Sequence, residues 1–350
     1  MSHFSLHGKY RVQSRRDYAT SALEGEWYGG PGVLGNAGIN EALRAHPFWT
    51  GQVQVALRPA LISQRFGKFA SEPDILYKHD LFIPAPNSDP MLENIVDVLK
   101  SWQNWIQRKK FVQTLFCAED YQHAMGHLSD LQTTIANEYM VHEAGHFIAY
   151  DVFTKQNDGY FAPGGKTLWP LIYLEEFRAD LNAFGFAVKL LPPEQAVQIF
   201  LYNLLLRFGV HRQGILTLHS APYGLIPYLL FCLLNELGFI AVINVHGRYC
   251  FRLSNLHTTT LIGLMQDCAH HAKVQLNTVE MTTIRSWERA LAAASYVRNR
   301  LEQYEQTGQF ALVMNQPATG KEQAGLTNNL IPIRFLLTCL SRRMTVRVII

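Results

Sequence analysis

Two imidazoles and a carboxylate sit inside an apolar run, Val141-His142-Glu143-Ala144-Gly145-His146-Phe147-Ile148-Ala149-Tyr150, and this constrains the fold more than any other feature of the chain. Apolar residues on either side recur at helical spacing, so the segment is expected to be a buried helix. Polar and ionisable groups on such a helix are costly to bury unless they are paired or bind a metal. The fold must therefore bring a second polar element against this one. Four residues along a helix is about 400° of rotation, so His142 and His146 lie one turn above each other and can bind the same ion. Glu143 sits beside them, placed to act on a water at the ion rather than on the ion itself.

That division of labour suits zinc, which in catalytic sites takes three protein ligands and keeps a position for water. A third ligand is required, and the second polar element is 30 residues downstream of His146. There Leu174-Glu175-Glu176-Phe177-Arg178-Ala179-Asp180 is flanked by Trp169, Ile172, Tyr173, Leu181 and Phe184, again an apolar helical pattern. If Glu176 is the third ligand, Asp180 lies one turn further along the same face, where it can accept a hydrogen bond from the far ring nitrogen of a ligand histidine. This i, i+4 spacing selects Glu176 over Glu175. The competing reading is a satisfied buried polar cluster joining two helices.

The two segments together resemble the gluzincin metallopeptidases, the thermolysin-like group in which an H-E-x-x-H helix supplies two zinc ligands and a later E-x-x-x-D helix the third. The resemblance implies His142, His146 and Glu176 as ligands of Zn2+, Glu143 as catalytic base and Asp180 as the partner of a ligand histidine. Glu175-Glu176-Phe177-Arg178-Ala179-Asp180 is also similar to the E-E-C-R-A-E/D motif of dipeptidyl peptidase III, whose second glutamate binds zinc. That family has an extra residue in its first motif, H-E-x-x-G-H, and its chains are much longer. The likeness covers about 40 residues of this sequence. The implied chemistry is hydrolysis of a peptide or amide bond, with Glu143 moving the proton of the attacking water to the leaving amine. A further donor for the developing oxyanion would come from His211, His219, Tyr223, His246 or Arg248, of which His246 and Tyr223 are preferred.

Composition narrows the partners. Lys and Arg number 31 against 28 Asp and Glu, a formal charge of +3, so nucleic acid is not expected as a ligand. Charged residues are 17% and hydrophobic residues 48% of the 350, which excludes disorder over most of the length. The polar start, with Lys9, Arg11, Arg15 and Arg16 and no apolar stretch behind them, is unlike a secretory signal, and a cytoplasmic location is expected. Five scattered cysteines without a C-x-x-C pair argue against a disulfide framework or thiolate zinc site and read as mostly buried free thiols. Leu225 to Ile243 is the most apolar stretch, but Pro227, Asn235, Glu236 and Gly238 interrupt it, so a core helix is expected rather than a membrane span. That stretch leaves a homo-oligomer interface and a large monomer core as alternatives.

The expected fold is α+β and mostly α-helical, with zincin-like active-site helices, a small β-containing N-terminal part and a short C-terminal hairpin. Residues 1–90 are turn-rich, with strand-like alternation at Gln52 to Leu57 between Gly29-Gly30-Pro31-Gly32 and Pro84-Ala85-Pro86-Asn87. Residues 91–350 read as a mainly helical, metal-binding catalytic domain, although one domain overall is an alternative. Helices are expected from Met91 to Phe116, Tyr121 to Thr154, Leu168 to Leu190, Glu194 to Phe208 and Pro222 to Leu237. A hairpin around His246-Gly247, helices over 258–274 and 280–306, a loop from Gly308 to Asn329 and a final helix or strand over 331–350 complete the pattern.

Other polar clusters carry less. His123 and His127 repeat the i, i+4 spacing but have no adjacent catalytic glutamate, so a second metal is not favoured. Asp267-Cys268-Ala269-His270-His271 lacks a matching partner. The glycine-rich loop at residues 29–36 lacks the lysine of a phosphate-binding loop. Asp158 to Gly165 joins the two polar helices as a cleft wall or a plain connector. Three functions fit: a zinc peptidase acting on short peptides, a zinc enzyme of small-molecule metabolism working by amide hydrolysis, lyase or cyclisation chemistry, and a non-catalytic protein stabilised by its metal. A Glu143 in the position of the base counts against the last.

Overall fold

Strand β3 (Gln54–Phe66) is the axis of the N-terminal sheet. It pairs antiparallel with β2 (Tyr18–Trp27), which pairs antiparallel with β1 (His3–Arg11), and it pairs in parallel with β4 (Met91–Asp97), giving the order β1-β2-β3-β4. Glu24 and Gly25 of β2 pair with Gln64 and Ile62, so Ser63 is the extra residue of a bulge in β3. Helix α1 (Asn36–Arg44) lies against β3 and bonds to it through side chains. Asn36 accepts from the amide of Leu57 at 2.8 Å and donates to its carbonyl at 3.0 Å, while Asn40 does the same to Val55 at 2.9 Å each. These two amides satisfy ladder positions as a neighbouring strand would. The computed structural model describes residues 3–11, 18–49, 54–67, 91–98, 101–103, 106, 112–149, 169–210, 226–277, 288, 292–293, 295–297, 299–300 and 309–314.

The helical part follows as α2 (Ala118–His127), α3 (Leu131–Gly145), α4 (Trp169–Leu190), α5 (Pro193–Val210) and α6 (Ile226–Glu236). An antiparallel hairpin of β5 (Ile240–Val245) and β6 (Arg248–Leu253) comes next. Helix α7 (Thr258–His271) runs on into a π-helical turn at Ala272–Asn277, and a short α8 (Gln309–Met314) ends the described chain. The fold is a mainly α-helical α+β arrangement.

One buried apolar cluster joins α1 and β3 to α3, α4, α5, α6, β6 and α7. Aromatic rings carry it across layers: Phe184 of α4 meets Phe200 of α5 edge-on at 5.2 Å, Phe200 meets Phe239 at 5.7 Å, and Phe231 of α6 meets Phe251 of β6 at 5.0 Å. Helix α4 is buried along nearly its whole described length, which its polar residues make chemically consequential.

Several expected elements change. The helix predicted from Met91 begins instead as β4, because parallel pairing with β3 overrides the helical period and Ile95 and Val96 are β-branched. Val98 and residues 101–103 are helical. The helix predicted from Tyr121 to Thr154 is two, since Asp130 caps α3 by accepting from the amide of Thr133 at 3.1 Å. It ends at Gly145, and Ala149 turns the chain with a φ of 76° and takes a 2.9 Å bond from its amide to the carbonyl of Phe48. Residues 309–314 of the expected loop are helical. The predicted segments at 84–87, 158–165, 222–225 and 331–350 lie outside the described residues.

The helix expected over 258–274 is α7 with its π-helical turn, and most of the one expected over 280–306 lies outside the described residues. Pro193 opens α5 at its first helical position. His246 and Gly247 form the hairpin turn with φ of 51° and 84°, the left-handed pair that a two-residue turn of this hand requires. Among the described cysteines, Cys117, Cys232, Cys250 and Cys268 are buried free thiols. Among the described residues no helix is long and apolar enough to cross a membrane. The glycine-rich loop is strapped to α3, where the buried Asn137 accepts from the amide of Leu34 at 2.8 Å and donates to the carbonyl of Gly32 at 2.7 Å.

Candidate metal centre

Helices α3 and α4 cross at Gly145. A β-carbon there would lie 2.9 Å from the Cα and 3.0 Å from the carbonyl carbon of Ala179, so only glycine permits the approach. Its carbonyl, at the end of α3, accepts from the amide of Ile148 and from Asn182 Nδ2 of α4, each at 3.4 Å. Asn182 in turn accepts from Asn277 in the π-helical turn at 3.3 Å. This close crossing brings the two polar stripes together.

His142 and His146 turn their Nε2 atoms toward each other at 3.2 Å, and Glu176 Oε2 lies 3.5 Å from the first and 3.8 Å from the second. Three tetrahedral donors about 2.0–2.1 Å from one zinc ion stand about 3.3 Å apart, so this triangle fits such an ion with small adjustments. The far side of each ring is held by an acid. His142 Nδ1 lies 2.7 Å from Asp180 Oδ1, and His146 Nδ1 lies 2.9 Å from Glu175 Oε1. A carboxylate behind each Nδ1 turns the two Nε2 atoms toward a shared point, the arrangement that orients metal-binding histidines.

Burial works against charge on His142, but the Asp180 carboxylate and then Glu176 outweigh it and hold the imidazole well above its ordinary pKa. The same anionic surroundings favour a cation at Nε2. A second overlapping group, Glu138, His142 and Asp180, also has ligand atoms within 4.8 Å of one another. The His142, His146 and Glu176 group is the better site, because Asp180 is already engaged with His142 Nδ1 and the first group offers two imidazoles. His146 and Glu176 keep side-chain exposures of 20% and 15%, so the triangle opens on one side rather than closing inside the core.

The neighbouring positions complete the description. Glu143, one residue after His142, is half-buried on α3. Arg178 is fully buried and forms an ion pair with Glu175, the acid behind His146. Sequence spacing passes over Glu175 in favour of Glu176. A signal was nevertheless present: two ligand histidines need two acids behind them, and Asp180 supplies one. His246 lies exposed in the β5–β6 turn, while Tyr223, His211 and His219 lie outside the described residues. His123 and His127 stack at 5.5 Å on α2, and among the described residues they join no ligand cluster.

Comparison with known proteins gives the same fold. The dipeptidyl peptidase III of Caldithrix abyssi matches 95% of this chain with a TM-score of 0.58 at 14% identity, and that of Corallococcus sp. strain EGB matches 98% with a TM-score of 0.51 at 13% identity. This chain spans 61% of the length of each. No protein-family model and no curated protein sequence matches it.

Proposed function

We propose that the protein is a zinc-dependent hydrolase of peptide or amide bonds. The observation that carries this reading is the triangle of His142 Nε2, His146 Nε2 and Glu176 Oε2, with edges of 3.2, 3.5 and 3.8 Å and a carboxylate behind each ring. The fold shared with the two dipeptidyl peptidase III structures supports it and makes short peptides the first substrates to try.

Zinc held by these three residues would supply Lewis acidity, acidifying water and polarising a carbonyl oxygen. The chain's own part falls to Glu143. In this reading its carboxylate takes a proton from the attacking water and returns it to the leaving nitrogen, a role suited to a half-buried acid beside a ligand. Asp180 and Glu175 hold the two imidazoles as Nδ1–H tautomers throughout, so neither ring competes for the travelling proton. Tyr223 and His246 are the donors assigned to the developing oxyanion, and Tyr223→Phe and His246→Ala would each lower kcat by at least tenfold in this role.

Elemental analysis of chelator-stripped, zinc-reloaded protein tests the site, followed by hydrolysis of short peptides. The wild type and Glu143→Gln should retain about one zinc per chain and Glu176→Ala little, with hydrolysis lost in both variants. A wild type that takes up no zinc removes the reading altogether. A zinc-loaded wild type that cleaves no peptide or amide leaves the metal site and removes the hydrolase.

A further inference from the structure

Cys117 and Cys250 are 133 positions apart in sequence, and their sulfurs are 2.7 Å apart in the fold. The contact follows from backbone pairing. Phe116 forms a parallel bridge with Phe251, the Phe251 amide donates to the Leu115 carbonyl at 2.8 Å, and the Cys117 amide donates to the Phe251 carbonyl at 2.9 Å. Side chains alternate along paired strands, so Cys117 shares a face with Cys250 and Arg252, which flank Phe251. Backbone hydrogen bonds on either side of the Phe116–Phe251 bridge thus fix the two segments that carry the sulfurs.

The two thiols are chemically unequal. Cys117 is the N-cap of α2, where the helix terminus favours an anion, and its own sulfur makes no capping bond. Arg252, whose half-exposed side chain reaches Asp120 at 3.2 Å, follows Phe251 on the same strand face as Cys250 and Cys117. Cys250 is pushed up to about 12, by burial first and then by the neighbouring Cys117. Of the other described cysteines, Cys232 faces the carbonyl of Arg300 at 3.7 Å and Cys268 is fully buried in α7.

We propose that Cys117 and Cys250 form a peroxide-responsive dithiol, with Cys117 the attacking sulfur and Cys250 the resolving one, closing a reversible disulfide that ties the start of α2 to β6. The Cys117 thiolate attacks one oxygen of a peroxide, the O–O bond breaks, and the departing hydroxide takes a proton to leave as water. The sulfenic acid so formed is attacked by the Cys250 sulfur. The S–S bond forms as the S–O bond breaks, and the hydroxyl leaves with the Cys250 proton as a second water. Two electrons pass from the two sulfurs to the peroxide.

The closed loop contains the whole of α3 and α4, and hence the candidate metal centre, although neither cysteine touches it. Linking the ends of so long a segment restricts the unfolded chain. The disulfide is thus a clamp on stability, and it is independent of whether the protein binds zinc.

The test uses the full chain treated with hydrogen peroxide, alkylated under denaturing conditions and mapped by mass spectrometry of its peptides. The expected result is a peptide pair linked through Cys117 and Cys250 that disappears after reduction, with a melting midpoint several degrees higher before reduction than after. Cys117→Ser and Cys250→Ser should each abolish the pair, and the wild-type map stands on its own if either variant fails to fold. Recovery of Cys117 and Cys250 as separate alkylated or over-oxidised residues would overturn the proposal. A linked pair without a shift in midpoint would overturn the clamp.

Discussion

Gly145 and Ala179 touch backbone to backbone, and that contact sets the distance between the two helices of the candidate site. With a β-carbon at Gly145 only 2.9 Å from the Cα of Ala179, α3 cannot carry a side chain there without moving away from α4. The three donor atoms depend on this crossing, since two are on one side of it and one on the other.

Gly145→Ala is therefore expected to destabilise the protein by about 1–3 kcal/mol through overpacking and to weaken zinc binding at the same time. Gly126 of α2 is the control, because nothing lies within 4 Å of a β-carbon built there. Gly126→Ala should stabilise by about 0.5–1 kcal/mol through the unfolded state and leave zinc unchanged. Urea unfolding and a zinc titration on both variants measure the pair. Equal and small effects would show that the crossing tolerates a methyl group.

Much of this site was legible because helical geometry is local. Four-residue spacing alone relates His142 to His146 and Glu176 to Asp180, and no tertiary knowledge is needed to see it. What spacing cannot show is which acid serves which ring. Glu175 faces His146 only because α4 crosses α3 at the angle that Gly145 and Ala179 permit, and that angle is a property of two segments together. The same limit explains β4, where Leu92, Ile95 and Val96 fit a helical period in isolation but are recruited by β3. Asn36 and Asn40 carry no strand signal, yet they close ladder positions of β3.

The acids behind the rings are expected to act through the metal rather than on the substrate. Asp180→Asn and Glu175→Gln keep the size of each side chain but remove its charge, and each should lower zinc affinity about 10–100-fold. Competition against a chelating dye reads this directly. Affinities equal to wild type in both would show that the 2.7 and 2.9 Å contacts do not orient the histidines.

Arg178 makes a different prediction because it is fully buried and paired with Glu175. Arg178→Ala leaves that carboxylate buried without its cation, and breaking such a pair costs about 3–5 kcal/mol. Arg178→Met with Glu175→Gln removes both charges and should recover much of the loss. The recovery is the informative quantity in equilibrium unfolding, since a merely space-filling arginine would be rescued by Arg178→Met alone.

Two histidines outside the site contribute to the loss of stability in acid. His46 and His271 are both lowered from an ordinary 6.5 to about 4, by burial first and then by nearby cations, Lys273 and Lys189 for His46 and Arg300 and His270 for His271. Hydrogen bonds agree with neutral rings. The amide of Phe48 donates to His46 Nδ1 at 3.2 Å, and Arg300, which can only donate, lies 3.5 Å from His271 Nε2. Between about pH 6.5 and pH 4 the unfolded chain holds protons on these rings that the folded chain does not, so the stability of the fold falls as the pH drops through that window. Below the lower value both states are protonated and the loss levels off. His46→Asn and His271→Asn each remove one such proton uptake, and each should flatten the dependence of the urea midpoint on pH in that range, with the double variant flattest. A double variant as steep as the wild type would place the acid sensitivity elsewhere in the fold.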